Sequence, residues 1–343
     1  MKPRVAYIDT LKFFGIFILL FEHTGNWTSL NGIYNPVKIW ICSFHMPLFF
    51  IAYGMALPIK EKSKKRAFKE FVIKRFKGLL IPYFIWCLIY SEKLNICFFK
   101  GVLYGTNPSL GAAKTNQVLW FLPVMFLSAI VYFSVNKIVQ RANRFKNLLL
   151  ICCAVLCGII NVLLKKFHFN FGMIFGLDIA FTGTVFMIAG SHLRKISDIM
   201  LKYNKLLLLP ISLILTVCGV LCAKINIPYD SWISIMALGI YGKSYIFYIF
   251  SAGISSFAMT LFSIICEKIR LFSWLGKNSL IIMAVHYIIF PLTVKLSLYL
   301  TAGVRIAKNI TLPLLNSLFT VAICIPVILF INKFAPVLNG KNN

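Results

Sequence analysis

The sequence predicts an all-α, polytopic integral membrane protein with about ten transmembrane helices, and three observations predict it. Mean hydropathy over the 343 residues is +0.84, with 59% hydrophobic and only 13% charged residues. A water-soluble chain of this length cannot hide so much apolar surface. Apolar runs of about 20 residues, the length a helix needs to cross a hydrocarbon core, recur from one end to the other. Lysine and arginine gather in alternate connecting segments, the distribution that orients helices in a membrane.

Taken in order, the expected spans are 8–25, 38–57, 78–93, 117–135, 147–164, 171–191, 206–223, 244–266, 277–294 and 311–332. The first imitates a secretory leader, with Lys2 and Arg4 ahead of an apolar run. His23 and Trp27 stand where a small-residue cleavage site belongs, so it reads as a retained span. The third is short. The sixth carries Asp178 and several glycines and is expected to face protein rather than lipid. No internal repeat, low-complexity tract or separate soluble domain is visible, so residues 1–343 read as a single membrane domain.

With the N-terminus in the cytoplasm, inside segments hold 23 of the 36 Lys and Arg residues and outside segments 11, counting Lys38 and Lys93 at the outer ends of their spans, with Lys12 and Lys277 inside spans. That asymmetry places both termini in the cytoplasm. It also accounts for most of the +27 charge without a nucleic-acid partner. The ten cysteines lie mostly in apolar runs and form no paired CxxC motif, so they read as small hydrophobes, with no metal site and no disulfide expected. Residues 58–77 combine nine Lys and Arg with Phe68, Phe71, Val72 and Phe76 on one helical side. This describes an interfacial amphipathic helix held by anionic lipid. A docking surface for a phosphate-bearing donor is the other reading.

The first span, DTLKFFGIFILLFEHTG, keeps Asp9, Lys12, Glu22 and His23. Each ionisable group at the bilayer centre costs roughly 3 kcal/mol, so four need a reason. Lys12 and His23 are eleven residues apart, on one face and separated by roughly 16 Å along the axis. Asp9 lies one turn from Lys12 and pairs with it in this reading, which lowers the burial cost. His23 is either a general base or a hydrogen-bonding bridge between helices, and the residues alone leave both open. Glu22, adjacent to it, is expected on another face, orienting a neighbour.

Further polar residues recur at membrane depth. The second span contains FHMPLFFIAYG, with His45, Pro47 and Gly54. The fourth opens QVLWFLP, with Trp120 and Phe121 expected at the outer interface. The ninth contains Asn278, Ser279 and, two turns on, His286. Singly, each reads more simply as structural. Three histidines on three spans point to a shared interior site.

These residues carry a resemblance. RVAYIDTLKFFGIFILLFEH resembles the first-span signature of the membrane acyltransferase-3 family, in which a basic residue precedes a histidine by eleven positions. FHMPLFFIAYG, FVIKRFKGLLIPYF, LWFLPVMF and LGKNSLIIMAVH resemble successive blocks of that family, in order, from Arg4 to about Phe290. They are most similar to its fucose 4-O-acetylase and sugar O-acetyltransferase branch. The resemblance implies a ten-helix enzyme of the bacterial cytoplasmic (inner) membrane. Its donor substrate is cytoplasmic acetyl-CoA or another acyl-CoA, with no permanently bound cofactor. Its acceptor is a hydroxyl of an envelope sugar, in O-antigen (lipopolysaccharide), capsule or exopolysaccharide. The family's catalytic histidine corresponds to His23, its basic first-span residue to Lys12, and its basic position before the third span to Arg75. Two positions depart from the pattern. Lysine replaces the commoner arginine at Lys12, and Tyr53 precedes Gly54 where serine is usual. No fused esterase-like domain is seen.

The candidate site therefore comprises His23 and Glu22 as catalytic groups. Lys12, Arg75, Asp9, His45, Trp120, Asn278, Ser279 and His286 are the substrate-binding groups. Acyl transfer to an alcohol needs a base for the hydroxyl proton and donors for the oxyanion, which fits this set. An acyl-histidine intermediate and direct transfer both remain open. The alternative is a transporter or flippase of a lipid-linked glycan or small molecule, which often shows repeated halves. None is evident here.

Overall fold

The computed structural model describes residues 5–24, 35–57, 65–91, 93–105, 118–141, 145–167, 172–229, 231, 233–300 and 308–341. Thirteen α-helices carry the described chain. They are α1 (Ala6–Thr24), α2 (Pro36–Ala56), α3 (Lys65–Arg75), α4 (Ile81–Tyr90), α5 (Ile96–Leu103), α6 (Phe121–Val139), α7 (Lys146–Phe167), α8 (Leu177–Met200), α9 (Lys205–Ile225), α10 (Tyr245–Ile265), α11 (Arg270–Lys277), α12 (Ser279–Leu300) and α13 (Lys308–Phe334). The described residues hold no β-strand beyond one isolated bridge, Ile235 to Ile240. The all-α expectation holds.

Among the described residues, eight helical segments are long and apolar enough to cross a membrane: α2, α6, α7, α8 with the preceding turn, α9, α10, α12 and α13. Two expected spans stand outside that group for different reasons. Helix α1 has 19 residues but carries Asp9, Lys12 and Glu22. The third is built from a ten-residue α4, preceded by a π-turn, Phe76–Leu80, that joins it to α3. Boundaries also shift. Helix α8 runs on to Met200, which puts Arg194, Lys195 and Asp198 on a helix rather than in a loop. The ninth span begins at Ser279 rather than Lys277, because Arg270–Lys277 forms a separate short amphipathic helix ended by Asn278.

The described residues fall into two compact units. The first comprises those of 1–52, 194–235 and 240–334, and the second those of 53–193, 236–239 and 335–343.

In the first unit α1 packs against α10, α11, α12 and α13. Tyr7, Leu11, Ile16 and Leu20 are all buried, as are Asp9, Thr10 and Glu22, so most of the helix is enclosed, while the stripe Phe14, Phe17, Ile18 and Phe21 is half-buried. A helix enclosed in this way keeps its polar groups out of lipid and among partners. Helices α9 and α10 form an antiparallel pair along a seam of small residues. Ser212 donates to the Ala258 carbonyl at 2.9 Å, and Ser251 to the Gly219 carbonyl at 3.3 Å. A Cβ on Gly219 would lie 2.2 Å from Ser255 Oγ, so the seam needs glycine there. Such close contact and hydrogen bonding replace the hydrophobic drive that lipid does not supply. One end of this unit is tied by Tyr7 donating to Asp198 at 3.1 Å and by the Lys205–Glu267 ion pair at 2.8 Å.

In the second unit, α3 does not turn its aromatic face wholly outward. Phe71 stacks on Phe133 of α6 at 4.5 Å and Phe76 meets Phe126 edge-on at 6.4 Å, while Phe68 and Phe76 stay partly exposed. The amphipathic pattern is thus divided between protein and surroundings. A Cβ on Gly54 would lie 2.1 Å from the Met187 carbonyl oxygen, so α2 and α8 touch backbone to backbone there. Trp86 donates to the Leu338 carbonyl at 3.1 Å and fastens the C-terminal turn Pro336–Asn339.

Candidate functional site

The C-terminal turns of α1 bring His23 and Glu22 against α2 and α12. The His23 ring lies 5.4 Å from the His286 ring and 5.5 Å from that of Tyr287. His286 is fully buried, with Phe290 edge-on to it at 4.9 Å. Two of the three histidines expected to share an interior site therefore adjoin. His45, also buried, hydrogen-bonds its own helix at the Ile41 carbonyl, 2.8 Å away.

The partners fix the tautomers, because a carbonyl or carboxylate oxygen only accepts. His286 Nδ1 faces the Met283 carbonyl at 2.7 Å and must carry the proton, leaving a lone pair on Nε2 when the ring is neutral. His45 follows the same pattern. In His23 it is Nε2 that lies near an acceptor, 3.2 Å from Glu22 Oε2, and a proton held there leaves the lone pair on Nδ1. His23 Nδ1 and His286 Nε2 are buried and have no hydrogen-bond partner among the described residues. The site thus presents two adjacent imidazoles, each with a ring nitrogen that no described residue claims.

Adjacency in sequence predicts that Glu22 turns to another face, and here the geometry differs. Its flexible side chain folds back, so the carboxylate reaches the neighbouring imidazole. The other oxygen, Oε1, binds the ammonium of Lys38 on α2, with Cys42 Sγ at 3.6 Å. Lys38 Nζ also lies 3.4 Å from the Glu22 backbone carbonyl. Removing one partner of such a buried pair leaves the other charge uncompensated, at a cost of about 3–5 kcal/mol. Lys38 was readable only as a charge at the mouth of the second span. Its partner is 16 residues away across a connection, and no helical spacing links them.

At the opposite end of α1, Asp9 and Lys12 pair as expected, at 3.3 Å. They lie where α11 crosses α1, since Gly276 rests on the Asp9 carbonyl. Asn278 is committed to structure: its amide donates to the Trp274 carbonyl at 2.8 Å and its oxygen accepts from Asn332 at 2.9 Å. Ser279 opens α12 and is half-buried.

The remaining candidates belong to the second unit. The Arg75 guanidinium lies over the rings of Tyr53, at 5.1 Å, and Phe71, at 5.0 Å. Its Nε and the Tyr53 hydroxyl are both buried without a hydrogen-bond partner among the described residues. Tyr53, the residue that departs from the serine pattern, therefore supplies an aromatic face for Arg75. Trp120 begins α6 and is 6% exposed, packed edge-on to Phe121 at 6.2 Å. It is an interior residue rather than an exposed interfacial anchor. Among the described residues, no group of three or more His, Cys, Asp or Glu is placed to hold a metal ion.

A half-buried histidine beside a carboxylate, within a bundle of apolar helices, has the chemistry to accept and return a proton. The family comparison agrees: the model described as an acyltransferase domain, that of the acyltransferase-3 family, matches residues 5–331. The chain belongs to this family and is a multi-pass membrane acyltransferase. No curated protein and no solved structure matches it.

Proposed function

We propose that the protein transfers an acetyl group from cytoplasmic acetyl-CoA to a hydroxyl of a bacterial cell-envelope sugar in O-antigen, capsule or exopolysaccharide. The observation that carries this reading is the His23–Glu22 pair with Nδ1 unclaimed. In direct transfer, His23 Nδ1 takes the hydroxyl proton as the sugar oxygen attacks the thioester carbonyl. Glu22 stabilises the imidazolium so formed. As the C–S bond breaks, the imidazolium returns its proton to the departing sulfur, and ester and CoA thiol leave. His286 Nε2 is a second acceptor for a hydroxyl of the incoming sugar. Lys12 and Arg75 serve as binding charges for the donor.

Mass spectrometry of surface glycan from cells with and without the gene tests the reading. An acetyl group that disappears with the gene is expected. Unchanged glycan, together with no acetyl transfer from acetyl-CoA in isolated membranes, sinks it and favours the transport alternative.

The charge asymmetry supports both termini and the 58–77 segment on the cytoplasmic side. Reporter fusions at Lys65 and Gly111 are expected on opposite sides of the membrane (Gly111 and much of 58–77 lie outside the described residues). Both reporters on one side would refute the topology and the donor-side role of the basic segment.

Arg75→Ala is expected to raise KM for acetyl-CoA more than it lowers kcat, because a remote phosphate contact supplies ground-state binding. The unclaimed Nε of Arg75 is the donor available for it. Initial rates across an acetyl-CoA series decide, and a normal KM with collapsed kcat would contradict the assignment.

A further inference from the structure

We infer that Lys38 is a positioning residue of the transfer reaction: its ammonium holds the Glu22 carboxylate so that it accepts the Nε2 proton of His23, leaving Nδ1 as the working base. The inference rests on the reading of His23 as the base and extends the machinery to a second helix.

Three contacts carry it. Lys38 Nζ binds Glu22 Oε1, and it also lies 3.4 Å from the Glu22 backbone carbonyl, so both the side chain and the main chain of Glu22 are fixed from α2. Cys42 Sγ, one turn along α2, approaches the same Oε1 at 3.6 Å. Oε2 is thereby left to His23 at 3.2 Å. Lys38 and Glu22 side chains are only 12% and 9% exposed, so water does little to screen or replace the ammonium.

Without Lys38, Oε1 and the main-chain carbonyl of Glu22 lose the contact that fixes them from α2, and the carboxylate is free to turn away from His23 Nε2. The imidazole then has no fixed acceptor on Nε2 to hold Nδ1 as the working base. With Lys38 present the proton balance is simple. Nδ1 gains the hydroxyl proton, Nε2 keeps its own, Glu22 stays ionised, and Nδ1 yields its proton to the leaving thiolate.

The test uses full-length protein in membrane vesicles bearing their own envelope glycan, with labelled acetyl-CoA as probe and protein levels matched. Lys38→Met is expected to lower kcat by at least about tenfold, within the range of lost general-base help. KM for acetyl-CoA should change by less than about twofold, and Lys38→Arg should keep most of the rate. In a Glu22→Gln background, Lys38→Met should add less than about twofold, because there is no carboxylate left to hold. That comparison stands even where the single variant fails to accumulate, since the double variant carries no uncompensated charge. Lys38→Met within about twofold of the unmutated rate overturns the inference, and so does an equal loss in both backgrounds. If the unmutated protein incorporates no label, or His23→Ala incorporates it normally, the acyltransferase mechanism proposed above fails and this inference falls with it.

Discussion

His23→Ala is expected to abolish detectable acetylation of the surface glycan while leaving expression and membrane insertion nearly unchanged. General-base help is worth about 10²–10⁴ in rate. The imidazole is also the group at this site with a carboxylate on one nitrogen and nothing among the described residues on the other. Replacing it makes α1 more apolar, and Glu22 retains Lys38. His286→Ala and His45→Ala are expected to give smaller losses. His286 adjoins His23 and is held through the Met283 carbonyl rather than a carboxylate, and His45 is engaged with its own helix. Acetyl content of glycan from the three variants at matched protein levels checks this. Near-normal acetylation by the His23 variant would remove the proposed mechanism altogether.

Gly276→Ala is expected to destabilise the protein most among single-methyl changes on α11. An added Cβ would lie 1.7 Å from the Asp9 carbonyl oxygen and 2.6 Å from its carbon. The obstruction is backbone, so no rotamer relieves it, and α11 must move off α1. Overpacking of this kind costs about 1–3 kcal/mol, and it also disturbs the Phe13–Phe272 stack at 4.8 Å. Gly253→Ala is the control: nothing stands within 4 Å of its Cβ, and a helical alanine is favoured over glycine by about 1 kcal/mol. Thermal unfolding of detergent-solubilised protein should show a marked fall for the first and none for the second. Equal midpoints would mean that α11 does not cross α1 as closely as described.

How much of this was legible beforehand depended on whether the signal was local. Helix positions were readable because apolar runs report directly on burial, and the Asp9–Lys12 pair was readable because one helical turn separates the two residues. Lys38 was not, since its partner lies across a connection rather than along a helix. Glu22 was placed on the wrong face because helical spacing fixes Cβ directions but not where a three-torsion side chain ends. The short α11 has no counterpart among the expected spans, because an eight-residue amphipathic helix is too short to register as an apolar run of membrane length. Trp120 was expected at an interface from a preference of its residue type, which a buried tertiary setting overrides.

The acidic groups of α1 each have a basic partner, Asp9 with Lys12 on the same helix and Glu22 with Lys38 of α2, one near each end of α1. A transmembrane voltage does work on net charge, about 2.3 kcal/mol per elementary charge per 100 mV across the full membrane. On these pairs the work nearly cancels wherever along the membrane normal they sit. Helices α1 and α2 taken together are in that sense electrically balanced, and an energised membrane has little lever by which to move the pair as one body.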